Sequence, residues 1–176
     1  MKILIIGGGA GGLELACKLG RRYRKRDDVS ITLIDQSPAH LWKPLLHEVA
    51  AGTLNSNDDE MSYFAQAHWH HFEFVHGPLQ RLDRQQRRVI IGEVTTPSGE
   101  AYLPERALSY DRLVIAIGSV SNDFAIDGVE ITCFFIDSRE QADRFNQHLL
   151  RCCHTAQAQP APRPAPPPIA IVGAGA

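Results

Sequence analysis

Apolar and polar positions alternate along this chain in blocks that predict a layered α/β domain. The run Ile3–Ile6 is continuous and short, the pattern of a strand buried on both faces. Leu13, Ala16, Leu19 and Tyr23 then recur at helical intervals, and Val29–Ile34 is a second strand. A helix is expected from about Pro44 to Ala51, stopped by Gly52 and packed through Leu45, Leu46 and Val49. Met61–His71 fits another helix, with Phe64, Ala67 and His68 on one face. Phe72–Asp83 alternates like a strand, and Val89–Ile91 and Ala101–Leu103 are further strands parted by the turn-rich Thr96–Gly99. Together these three predict a small antiparallel meander inserted into the parallel sheet. Tyr110–Ser119 reads as a second buried strand, and Ile131–Ile136 as another apolar run. Ser138 is a good N-cap for a helix to about Arg151, with Ala142, Phe145 and Leu149 on one face.

The remainder divides the chain. Residues 155–168 are dominated by Ala, Gln and Pro and read as a partly extended linker. Ile169–Val172 then runs into Gly173-Ala174-Gly175, repeating the opening of the chain. The expected organisation is a nucleotide-binding domain over 1–154, the linker over 155–168, and the first strand of a second, truncated Rossmann-like domain over 169–176.

Chemistry enters at the glycines. Gly7-x-Gly9-x-x-Gly12 follows the first strand and opens the first helix, the context required of a dinucleotide fingerprint. Gly7 permits the tight turn, Gly9 lets backbone approach a pyrophosphate, and Gly12 lets helix and strand pack closely. The helix N-terminus adds free N–H groups and partial positive charge. Asp35 ends the second strand at the distance where a carboxylate meets an adenosine ribose 2′-OH. A carboxylate there repels a 2′-phosphate, which favours FAD or NAD over NADP. Gly77-Pro78-Leu79 is a candidate for backbone contact with an adenine edge, although an ordinary bulge has the same pattern. Gly118 ends a strand at the edge of the sheet where ligands bind, and a small residue there lets backbone approach a dinucleotide.

Composition narrows the class. The 176 residues, 44% hydrophobic and 22% charged, suit a globular domain with a core. Eighteen basic residues against twenty acidic ones give a net charge of −2, so no nucleic-acid partner is expected. The cluster Arg21–Arg26 complements a helix C-terminus. Cys17, Cys133, Cys152 and Cys153 form no Cys-x-x-Cys pair, and His68, His70, His71 and His76 lack metal-site spacing, so no metal is expected. A reducing, cytoplasmic compartment is the simplest reading of the cysteines, and no stretch reaches transmembrane length.

Gly7–Gly12, Asp35, Tyr110–Ser119 and the second glycine turn resemble the two-dinucleotide flavoprotein reductases. Leu41–Ala50 and Gly118–Phe124 further resemble the type II NADH dehydrogenases, NADH:quinone oxidoreductases of respiratory membranes. That resemblance implies hydride transfer from NADH to FAD and then reduction of a membrane quinone, without proton pumping. It implies FAD pyrophosphate at Gly7, Gly9 and Gly12 and the adenosine ribose at Asp35. It puts Lys43 and Pro44 toward the flavin, Ala116 and Gly118 along the cofactor, and Gly173 and Gly175 at the start of an NADH site. For the Lys43–Ala51 segment, a plain surface helix fits the spacing equally well. No catalytic acid or base is assigned. The resemblance also implies peripheral attachment to the cytoplasmic face of the inner membrane through a C-terminal region outside this chain, and a possible homodimer. A chain ending at Ala176 is expected to bind FAD weakly or not at all and to be inactive. A sulfide:quinone oxidoreductase-like flavoprotein and a non-catalytic nucleotide-binding module are the alternatives.

Overall fold

The computed structural model describes residues 1–55, 60–96, 98–159 and 168–172. Its elements begin with β1 (Lys2–Ile6), α1 (Ala10–Tyr23), β2 (Ser30–Asp35) and β3 (Ala39–His40). A 3₁₀ turn (Lys43–Leu45) leads into α2 (Leu46–Ala51), followed by β4 (Met61–Ser62), α3 (Tyr63–His70) and β5 (Glu73–His76). Next come β6 (Leu79–Asp83), β7 (Arg88–Ile91), β8 (Val94–Thr95), β9 (Ala101–Leu103), β10 (Arg106–Ser109) and β11 (Arg112–Ile115). The helices α4 (Val129–Thr132) and α5 (Arg139–Ala158) complete them. They fall into two units, residues 1–43 with 56–120, and residues 44–55 with 121–176.

In the first unit β11, β1, β2 and β5 form a four-stranded sheet in that order, and every pairing is parallel. After the exposed Lys2, strand β1 is apolar from Ile3 to Ile6 because both of its faces are covered there. Ile3 and Ile5 join Leu13, Ala16, Ile31, Leu33, Tyr63 and Phe72 under α1 and α3. Leu4 and Ile6 join Ile34, Val89 and Ile91 on the opposite face. That second cover is the antiparallel sheet β10-β7-β6. At the start of β1, Asp111 clasps Lys2: the Lys2 N–H donates to Asp111 Oδ2 at 2.6 Å and the Asp111 N–H returns to the Lys2 carbonyl at 2.9 Å.

Several elements differ from the sequence expectation. Phe72–Asp83 is two strands in two sheets, β5 in the parallel sheet and β6 in the meander, parted at Gly77-Pro78. Alternation reports side-chain faces and is blind to which neighbour takes the backbone bonds. The third meander strand is β10, which the pattern missed, while Ala101–Leu103 pairs with β8 in a separate ribbon. Helix α3 buries Tyr63 and Ala67, four apart on one face, and leaves Phe64 and His68 exposed. Of the expected strand over 110–119 only Arg112–Ile115 forms, as β11; among the described residues it pairs with β1 alone, so it is half-buried, and Ile115 and, beyond its end, Ile117 are exposed.

In the second unit Ser138 caps α5, its hydroxyl accepting from the Gln141 N–H at 3.3 Å, as expected. The helix continues past Arg151 to Ala158, because nothing before the first proline breaks it. It therefore takes in the first residues of the stretch read as linker. Ile131 and Thr132 fall in α4, and the rest of that apolar run forms no strand. Helix α5 packs on α2, where Asn146 Nδ2 donates to the Ala50 carbonyl at 3.2 Å. Ile169–Val172 forms no strand and is exposed, since among the described residues no strand pairs with it.

Candidate functional site

Parallel strands end on one edge, so the first unit gathers its chemistry there. The Gly7 N–H bonds the Ile34 carbonyl at 2.8 Å, the Gly77 N–H that of Asp35 at 2.8 Å, and the Ala116 N–H that of Ile6 at 2.7 Å. The glycine turn, Asp35 and Ala116 thereby lie side by side. Gly7 has φ +99°, and a side chain there would overlap the Ala116 carbonyl. At Gly12 a Cβ would overlap the Gly7 carbonyl oxygen and reach within 3.3 Å of the Ala116 methyl. Gly9 is different, for among the described residues a Cβ there would meet nothing within 4 Å. Gly9 caps α1 with no side-chain hydrogen bond, and the first helical bond runs from the Leu13 N–H to the Gly9 carbonyl at 2.9 Å. The turn thus offers open space beside a helix N-terminus with donors to spare, the shape and polarity that suit a pyrophosphate.

Beneath the turn lies a polar network that sequence reasoning missed. Asp35 Oδ2 accepts from the Gly8 N–H at 2.5 Å and Oδ1 from the Ser37 N–H at 2.8 Å. Each carboxylate oxygen keeps acceptor capacity for a ribose hydroxyl. Tyr63, only 2% exposed, donates its hydroxyl to the Gly8 carbonyl at 2.7 Å. His40, 7% exposed, places Nδ1 3.5 Å from that hydroxyl. Burial pushes the Tyr63 phenol well above its ordinary pKa, and Asp35 adds to the effect. Burial lowers the His40 imidazole, against weaker opposition from Asp35 and the Gly8 backbone. Both groups are therefore neutral near pH 7. The one available signal was the Tyr63–Ala67 spacing.

The other expected residues divide. Lys43 Nζ donates to the Ser119 carbonyl at 2.8 Å, bringing Lys43 to the loop that carries Gly118. Pro44 sits in the 3₁₀ turn, at the start of the second unit. Leu79 begins β6 opposite Ile91, next to a β-bulge, and Arg106 pairs with Ile91 from the other side. Arg106 Nη2 donates to the His76 carbonyl, and its buried Nε has no hydrogen-bond partner among the described residues. This inward-facing guanidinium beside Gly77 also escaped the sequence reading. Gly173 and Gly175 lie outside the described residues. No group of three or more His, Cys, Asp or Glu among the described residues could hold a metal ion.

A parallel sheet, a glycine turn running into a helix, and a carboxylate fixed at the next strand end define a Rossmann-type dinucleotide-binding domain. The chain belongs to the pyridine nucleotide-disulphide oxidoreductase family, whose sequence model matches residues 1–176. It is 45% identical to the type II NADH:quinone oxidoreductase of Haemophilus influenzae over 84% of this chain and 33% of that protein. The structure of NDH2 from Plasmodium falciparum in complex with NADH aligns with TM-score 0.71 and 22% identity, over 89% of this chain and 30% of that one. The sulfide:quinone oxidoreductase from Aquifex aeolicus aligns with TM-score 0.66 and 25% identity, over 87% and 32% respectively. The chain spans about a third of the length of the curated relatives it matches.

Proposed function

We propose that this chain carries the FAD-binding portion of a respiratory NADH:quinone oxidoreductase, and that its first unit recognises the ADP half of FAD. The carrying observation is the glycine turn, closed at Gly7 and Gly12, open at Gly9, and tied through Gly8 to Asp35. The 45% identity to a type II NADH:quinone oxidoreductase supports the particular activity.

In this reading the N–H groups of Gly9 to Gly12 bind the pyrophosphate, and Asp35 accepts from the adenosine ribose. The Leu79 backbone meets the adenine edge. Lys43, Pro44, Ala116 and Gly118 face the flavin side, and Gly173 and Gly175 begin the NADH site. Bound FAD would supply the chemistry, taking a hydride from NADH and passing two electrons to quinone. The chain's own residues bind and orient, and none is assigned as acid or base. Because quinone is a membrane species, the parent protein sits peripherally on the cytoplasmic face of the inner membrane; a homodimer is compatible with this reading. No helix among the described residues is long and apolar enough to cross a membrane. Residues 1–176 alone are expected to be inactive.

Titration of ¹⁵N-labelled residues 1–176 with ADP tests the site. Amide shifts should move at Gly9–Gly12 and around Asp35, and both Asp35→Ala and Gly9→Val should weaken binding at least about tenfold. Binding by this chain is expected to be weak, so ADP is taken to millimolar concentration, and a folded wild-type chain whose Gly9–Gly12 amides do not respond even there would overturn the reading. Steady NADH–quinone turnover by the same chain would overturn its inactivity.

A further inference from the structure

The dinucleotide fingerprint asks for glycine at positions 7, 9 and 12, yet position 8 is glycine too. Tyr63 accounts for it, because a Cβ on Gly8 would overlap the buried phenol. The ring lies against the bare α-carbon, and its hydroxyl reaches the Gly8 carbonyl at 2.7 Å.

We propose that Tyr63 is a positioning residue for the phosphate site: by holding the Gly8 carbonyl inward, it aims the Gly9 N–H outward. The inference rests on the nucleotide reading above. A trans peptide is planar, with its C=O and N–H on opposite sides. The bond joining Gly8 to Gly9 therefore cannot turn its carbonyl toward Tyr63 without turning its N–H away from Tyr63. With the hydroxyl removed, the buried carbonyl loses its partner, at a desolvation cost that favours rotating the peptide toward water. Rotation would present an oxygen to the phosphates where a donor is needed. Two further contacts hold the arrangement. The Gly8 N–H is bound by Asp35 at 2.5 Å, fixing the preceding peptide. His40, with its proton on Nδ1, can donate to the Tyr63 oxygen from 3.5 Å and leaves the phenolic hydrogen for Gly8. The line from His40 to Asp35 thus runs through both peptides of Gly8, and neither end needs to touch a phosphate.

The test separates phosphate from base and sugar. Wild type and Tyr63→Phe, both as residues 1–176, are titrated with ADP, inorganic pyrophosphate and adenosine while the Gly9 amide is followed. Tyr63→Phe should lose about tenfold in affinity for ADP and pyrophosphate, keep its affinity for adenosine, and lose the ADP-induced shift at Gly9. Equal ADP binding by the two proteins overturns the proposal, and so does a parallel loss of ADP and adenosine, which marks a general loosening. A folded wild type that binds neither ligand sinks the nucleotide reading itself, and this inference with it. Should Tyr63→Phe fail to fold, the wild type alone decides. Its Tyr63 hydroxyl proton should exchange slowly and lie close to Gly8 and Gly9 in nuclear Overhauser spectra, and a rapidly exchanging proton overturns the proposal.

Discussion

Gly11 and Gly12 are neighbours on the same helical turn, yet a methyl group should have opposite consequences at each. A Cβ on Gly12 strikes the Gly7 carbonyl, whereas one on Gly11 meets nothing within 4 Å among the described residues. Gly12→Ala is expected to cost about 3 kcal/mol through overpacking. Gly11→Ala should gain up to about 1 kcal/mol from helix propensity. Urea denaturation of the two variants checks the contrast. His40 supplies a pH dependence whose sign follows from its burial. The unfolded imidazole takes up a proton below about pH 6.5, while the folded one resists until lower pH. Stability is thus unaffected above that value and falls as pH drops toward the folded pKa. His40→Gln should lessen the decline in melting temperature between pH 7 and pH 5. At this scale the sequence was legible where spacing carries the information, as at Gly7, Gly12 and Asp35. It was opaque at Tyr63, because a helical wheel cannot tell which of two adjacent aromatics, Tyr63 or Phe64, turns inward. Arg106 was hidden because a cation beginning a short polar strand reads as surface.

At the scale of elements, starts were clearer than ends. Ser138 marked the first turn of α5, and there the cap is reinforced: Gln141 gives its N–H to Ser138, and its side-chain oxygen accepts from the Asp137 N–H at 2.7 Å. Ser138→Ala should therefore destabilise α5 by about 1 kcal/mol, read as earlier loss of helical circular dichroism on heating. The far end carried no such mark, and the helix outran the expectation. The split of Phe72–Asp83 between two sheets was signalled only by Gly77-Pro78. A proline lacks the N–H to continue a ladder, so that pair was the place to cut the run. Strand β10 had no comparable sign, since Arg106-Ala107-Leu108-Ser109 offers only two apolar positions and is assembled by its pairing with β7.

For the whole molecule, the two units differ in what they bury. The first holds both apolar clusters, whereas the buried apolar residues of the second are Leu46, Val49, Ala50 and Ala142 among those described. Amides of β1, β2 and β7 should exchange with solvent at least about a hundredfold more slowly than those of α5. Native-state hydrogen exchange on the full chain checks this, and equal protection in both units would contradict it.

The doubly covered β1 also raises a problem of alignment. A strand with a polar face resists slipping by one residue, because the slip would bury polar groups; a strand apolar on both faces has no such safeguard. Burial alone cannot tell β1 which residue to set beside which. The tie between Lys2 and Asp111 can, as it marks where counting starts. A slip of one residue would carry the glycine turn about 3.3 Å along the sheet, away from Asp35 and Ala116. The placement of the glycine turn is thus written at the opposite end of the strand, in a carboxylate that never approaches it. Asp111→Ala should leave the core composition intact and still produce doubled amide signals at Gly7–Gly12, the mark of molecules that miscounted.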